Sequence, residues 1–128
     1  MGSPILDRVR GIALALPWVI ERRSHGVPCF FVGRPIGYFH DHHRGDDRVS
    51  LWCPARAGVQ AAYVAAEPER YFAPQPSARG TFSFWLGAYL DLEGEPGVDW
   101  DEVTLLLEEA FRQVAPAAAI VELDRGRT

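Results

Sequence analysis

The 128 residues suit one domain, and 48% of them are apolar, enough to bury a single core without disulfide or metal staples. Thirteen basic residues against seventeen acidic ones give a net charge of −4, which argues against a general nucleic-acid binder, and because every basic residue is Arg, Schiff-base chemistry and a phosphate-loop lysine are excluded. No run approaches the roughly 18 to 20 consecutive apolar residues of a membrane helix, and Asp7, Arg8 and Arg10 break the first apolar segment where a secretory signal would be continuous, so a soluble, cytoplasmic protein is expected.

Ser3 followed by Pro4 supplies an N-cap and a first-turn proline, and Ile5, Val9, Ile12 and Leu16 recur at helical spacing until Pro17. From residue 19 to 53 the texture turns to short β-prone runs at 19–24, 29–32, 36–40 and 48–53, separated by turn-forming segments, which predicts an antiparallel meander of three or four strands. Residues 57–66 are Ala-rich and read as a second helix, and residues 67–71 as a further short helical turn. An irregular Pro-containing loop follows. Residues 81–92, rich in aromatics and set between Gly80 and Gly94, are expected to form one strand, kinked at Gly87. The last element has the clearest start: Asp99 with Glu102 forms a capping box, Val98 can pack on Val103, and Val103, Leu106, Leu107, Ala110, Phe111 and Val114 mark one apolar face ending at Pro116.

Taken in order, several short motifs resemble the MmcQ/YjbR-like family of small bacterial domains: Leu14-Ala15-Leu16-Pro17 with Glu21-Arg22; Ser24-His25-Gly26-Val27-Pro28-Cys29-Phe30; Pro68-Glu69-Arg70-Tyr71-Phe72; Arg79-Gly80; Leu90-Asp91-Leu92; and Val98-Asp99-Trp100-Asp101-Glu102 with Val114-Ala115-Pro116. The resemblance spans most of the chain. It implies an α+β, two-layer fold with helices packed on one face of an antiparallel sheet, as in frataxin-like and secretion-chaperone-like domains. It implies no settled activity, and a DNA-binding role only as a suggestion at the level of the fold. The chain departs from the pattern at Thr81-Phe82-Ser83-Phe84-Trp85 and in the alanines that stand for basic residues after Pro116, which weakens a nucleic-acid role.

The residues that carry chemistry are few. His40, Asp41, His42 and His43 could offer imidazole and carboxylate ligands to a metal, but on a hairpin only His40 and His42 share a side, one or two ligands short of a stable site, so a solvated loop is expected. His25 and Cys29 have the types of a base and a thiol nucleophile, yet four residues of strand separate them by about 13 Å. A structural buried Cys29 is expected, and Cys29 and Cys53 read as two reduced thiols, a bridge between them being the alternative. Asp99, Asp101 and Glu102 are accounted for by capping. The chain contains no Gly-x-Ser-x-Gly, His-Glu-x-x-His, glycine-rich phosphate loop or Cys-x-x-Cys signature.

Arg22 and Arg23, with Arg34, Arg44 and Arg48, are candidates for a basic face, although alternation sets Arg22 and Arg23 on opposite sides and Asp41, Asp46 and Asp47 lie near Arg44 and Arg48. Arg79 beside Phe82, Phe84 and Trp85 offers a second surface, with residues 82 and 84 expected on one side of the strand. The leading expectation is a non-enzymatic binding domain for a small molecule or peptide, without a cofactor, its site between the sheet and the loops of His25, Arg79 and Trp85. The alternatives are DNA binding through the arginines, and an enzyme or metal-binding protein using His25 or His40, His42 and their neighbours. Monomer and dimer are not distinguished.

Overall fold

Serine, proline and a spaced apolar stripe start a helix, and in the computed structural model, which describes residues 3–42, 47–76, 79–80, 82–95 and 97–127, helix α1 spans Pro4–Ala13. The Ser3 hydroxyl accepts the Leu6 N–H at 3.2 Å, satisfying one of the amides that a helix start leaves open. The helix stops before Leu16, because Pro17 disfavours helical backbone at the residue ahead of it. Leu16 is buried all the same, in a turn closed by its N–H on the Ala13 carbonyl.

The predicted meander is present with four strands: β1 Ile20–Ser24, β2 Val27–Phe31, β3 Pro35–Asp41 and β4 Val49–Cys53. Helix α2 is Val59–Ala66, two residues shorter at its start than expected, with Gly58 at φ 83 turning the chain into it. Residues 67–70 form the anticipated turn, but its end pairs as a two-residue strand, β5 Tyr71–Phe72. Strand β6 is Leu86–Tyr89 and lies between β4 and β5, completing an antiparallel sheet in the order β1-β2-β3-β4-β6-β5.

The expected strand over 81–92 is therefore corrected to four residues. Residues 82–84 are a turn closed by Ser83 N–H on the Gly80 carbonyl and Trp85 N–H on the Phe82 carbonyl, with Phe82 and Phe84 both in the left-handed region at φ 71 and 67. The two Phe side chains do not share a strand face; Phe82 is half-buried and Phe84 is 71% exposed. Gly87 is no kink but a regular ladder position opposite Trp52 and Phe72. The Phe72 ring lies across it, so close that a Cβ there would sit 2.3 Å from Cζ.

Helix α3, Trp100–Val114, begins as its sequence dictates, with the Asp99 carboxylate accepting the Glu102 N–H at 3.1 Å. The return half of the capping box is replaced by a tertiary contact: the Glu102 carboxylate accepts the Tyr63 hydroxyl of α2. Beyond Pro116 the chain forms a further helix, α4 Ala117–Arg125, which the sequence reading did not anticipate. None of these helices is long and apolar enough to cross a membrane.

Alternation along the strands gives the sheet two different faces. One buries Phe30, Ile36, Phe39 and Leu51 against Val9 of α1, Leu107 and Phe111 of α3 and Ala119 of α4, and continues through Leu86 and Ala88 to Tyr63 and Val64 of α2. The architecture is thus α+β, with the helices on one face. The opposite face carries Val27, Cys29, Tyr38 and Trp52 and is covered by Phe82 and Trp85 of the turn rather than by a helix.

Candidate ligand-binding cleft

Phe82 is the centre of the aromatic layer on the helix-free face. Its ring makes edge contacts with Tyr38 and Trp52 at 5.3 Å, Trp85 at 5.0 Å and His25 at 6.0 Å between centroids. A bulky residue with positive φ costs on the order of 1–3 kcal/mol, and the four rings around Phe82 offset that cost, holding the turn in one shape. Helix α2 fixes the turn from the other side, through the Gln60 side-chain amide, which donates to the Trp85 carbonyl at 2.6 Å. Farther along the same face His40 stacks on Trp52 at 4.1 Å and Phe72 on Tyr89 at 4.6 Å. Ser50 Oγ and Trp52 Nε1 are buried there without a hydrogen-bond partner among the described residues.

Where the turn meets the end of the β2–β3 hairpin and the segment before α2, the surface opens into a cleft of about 590 Å³. Tyr38, Phe82, Phe84 and Trp85 supply aromatic wall, residues 54–58 supply backbone and small side chains, and Arg34 is the charged side chain among the described lining residues. Phe84, held out in solvent by its left-handed backbone, stands at the cleft. The arrangement suits an apolar or aromatic group with a polar or anionic end, in a volume typical of small-ligand sites.

The sequence candidates are divided by the fold. Trp85 and Arg34 line the cleft. His25 sits in the β1–β2 turn at φ 55, its Nδ1 3.1 Å from Ser24 Oγ and its ring against Tyr38 and Phe82, on the same aromatic layer but outside the cleft lining. Arg79 is exposed and precedes the Phe82 turn. Arg22 lies over the Phe31 ring on the helix-free face, whereas Arg23, on the other side of β1, donates to the Gly26 carbonyl at 2.8 Å. Arg48 is held by a bidentate pair with Asp91, and Arg44 and His43 lie outside the described residues. Among the described arginines, Arg22 and Arg23 are split between the two sides of β1, and Arg48 is engaged by Asp91.

The histidine cluster is also corrected. His40 is no part of a solvated loop: it is in β3, 9% exposed and packed on Trp52, while His42 is exposed and its Nδ1 meets the Asp41 carboxylate. Among the described residues no group of three or more His, Cys, Asp or Glu side chains is placed to hold a metal ion. Cys29 and Cys53 are buried, free and on opposite faces of the sheet, so no bridge joins them. Burial pushes the Cys29 thiol up to about 12 and raises Cys53 as well, which keeps both protonated and unreactive. A thiol reagent such as Ellman's is accordingly expected to label neither cysteine of the native protein within minutes and both after guanidinium unfolding; fast labelling of Cys29 in the native state would contradict this account.

Sequence reasoning missed Tyr38, the 54–58 segment, Gln60 and Gln113 as parts of the site. Tyr38 had a signal in the alternation Cys29–Phe31 and Tyr38–His40, whose apolar residues occur at both parities and so require two covered faces. The others had none, since tertiary placement brings them there: β3–β4 pairing sets residues 54–58 near Tyr38, Gln113 of α3 donates to the Pro54 carbonyl, and Gln60 of α2 to the Trp85 carbonyl.

No family model matches the chain, and no curated protein matches it. Among solved structures, a crystal structure of Deinococcus radiodurans protein DR2400, described as a DUF419 domain, superimposes with a TM-score of 0.69 over 97% of this chain and 92% of that one, at 18% sequence identity. At that identity the likeness establishes a shared fold.

Proposed function

We propose that the chain is an MmcQ/YjbR-like domain that acts without catalysis, by binding a small molecule in the cleft between Tyr38, residues 54–58 and the Phe82–Trp85 turn. The family reading is supported by the fold shared with a DUF419 domain, a group placed with the MmcQ/YjbR-like domains, and by the ordered motifs of the sequence. The binding reading is carried by one observation: an aromatic-walled cleft of about 590 Å³ whose turn is fixed by Phe82 in a strained backbone conformation. The buried, protonated thiols support a binding role over a thiol enzyme, and they fit a cytoplasmic setting.

The test is a thermal-shift screen against aryl and alkyl carboxylates, uncharged aromatics and short DNA duplexes at two salt concentrations. A ligand at about one hundred times its Kd stabilises the native state by about 2.7 kcal/mol, and that gain is expected for a small molecule, to be lost in Trp85→Ala and kept in Arg22→Ala. Stabilisation by DNA alone, fading as salt rises, would overturn the cleft reading in favour of an arginine surface.

A further inference from the structure

A second cavity, of about 140 Å³, lies between α2 and α3 over Cys53 and Leu86 of the sheet. Val59, Tyr63, Leu105 and Leu106 make its interior apolar, and its charged residues, Arg56 and Glu109, pair with each other at 3.8 Å with both side chains more than half exposed. Pro54, Ala55 and Gln113 line this pocket and the larger cleft alike, so they form the partition between the two. The partition is light. Pro54 and Ala55 are small, and among the described residues the Gln113 amide is held by its Nε2 alone, which donates to the Pro54 carbonyl at 3.3 Å and the Glu109 carbonyl at 3.4 Å, both at the long end for hydrogen bonds.

Charge is distributed unequally between the two compartments. Among the described residues, the cleft has one ionisable cation, Arg34, with no carboxylate facing it, while the smaller pocket is neutral inside. Among the described residues, a cation without an ion pair at one end and apolar volume at the other match a molecule with the complementary polarity. Resting on the cleft reading above, we infer that the ligand is an amphipathic carboxylate, its anionic head at Arg34 and its apolar tail passing Gln113 into the pocket between α2 and α3. An apolar cavity of about 150 Å³ accepts a benzene-sized group, so the pocket holds a tail segment of about six carbons or one aryl ring.

The experiment is a calorimetric titration of the full chain with straight-chain carboxylates from butanoate to octanoate and with the matching alcohols. Affinity is expected to rise with each methylene that enters the pocket, by up to about fourfold, and to exceed that of the alcohol of equal length. Arg34→Gln is expected to narrow the gap between acid and alcohol. Val59→Phe, which fills the pocket, is expected to flatten the chain-length series, and Gln113→Ala, which removes the partition, to steepen it; circular dichroism and melting temperature report whether each variant is folded. If aryl carboxylates bind in a Trp85-dependent way but affinity is indifferent to chain length, to Val59→Phe and to Gln113→Ala, the two-compartment inference is wrong and the cleft reading stands. If no acid binds but an uncharged aromatic binds in a Trp85-dependent way, the carboxylate inference is wrong and the cleft reading stands; if neither acids nor uncharged aromatics bind, both are wrong.

Discussion

Replacing Phe111 with alanine is expected to cost about 3–5 kcal/mol of stability, the largest effect of any single truncation considered. The side chain is fully buried on α3, in the cluster that joins Val9 of α1, Phe30 of β2 and Leu107 of the same helix. Its removal takes an aromatic ring out of the contact between helix layer and sheet, and the surrounding strands cannot collapse into the space because their register is fixed on both sides. Native domains are stable by only about 5–15 kcal/mol, so the melting temperature is expected to fall by on the order of 10–20 °C. Phe84→Ala is the control: same chemistry, but a side chain 71% exposed, with an expected change within about 0.5 kcal/mol. Equal losses for the two variants in chemical denaturation would contradict the assignment of core and cleft.

Asp91→Ala is expected to be the most damaging polar substitution, at about 2 kcal/mol near neutral pH. One carboxylate makes three hydrogen bonds: it accepts the Arg48 guanidinium at 2.9 and 2.8 Å and the Val49 N–H at 3.0 Å, tying the start of β4 to the segment after β6. Arg48 also lies over the Tyr89 ring at 3.8 Å, so the pair fixes that end of the helix-free face. The Arg48 hydrogen bonds hold the Asp91 carboxyl below the usual carboxylate range. A depressed folded-state value means that the unfolded chain binds the proton more readily. The contribution is therefore fully present above the ordinary aspartate value of about 4 and disappears as pH falls through the lower folded value. The stability difference between wild type and Asp91→Ala should accordingly be large at pH 7 and shrink below about pH 4. A difference of the same size at pH 7 and pH 2 would show that the loss is one of packing rather than of the charged pair. Because Arg48 is about one-third exposed, added salt is expected to reduce the effect only in part.

The parts of the fold that were legible in the sequence are those whose signals are local. Ser3-Pro4 and Asp99 mark helix starts because a side-chain oxygen three residues ahead of an open amide is a short-range arrangement that no tertiary contact has to supply. The meander was legible because each of its hairpins closes within a few residues. By contrast, α4 follows Pro116 without a side-chain cap, and its three leading alanines carry no periodic pattern. Strand β5 is two residues long and exists because β6 pairs with it. The aromatic run at 82–85 has the composition of a strand, and what makes it a turn is tertiary: Phe82 gains contacts with His25, Tyr38, Trp52 and Trp85 that an extended backbone would forgo.

The same division applies to the site. Trp85 was legible as a binding candidate because it closes an aromatic run beside Arg79 and Gly80, and Arg34 as one of the arginines of a basic face, set between Gly33 and Pro35. That these two line one cleft, and that His25 backs the aromatic layer without lining it, depends on the strand order and on the positive backbone angles of Phe82 and Phe84. The two thiols show the reverse case: both read as buried from sequence, but their separation onto opposite faces follows only from register, with Cys29 opposite Tyr38 and Cys53 opposite Leu86.

The cleft is tested most directly by amide chemical-shift mapping of the uniformly labelled protein titrated with 1-naphthoate, a rigid aryl carboxylate small enough for the site. Binding in the cleft is expected to shift the resonances of Arg34, Tyr38, Gly58 and Trp85, including the Trp85 indole N–H, while α1 and β1 stay in place. Shifts centred instead on Arg22, Arg23 and the β1 edge, or saturating nowhere, would contradict the proposal that this domain binds its ligand between Tyr38 and the Phe82–Trp85 turn.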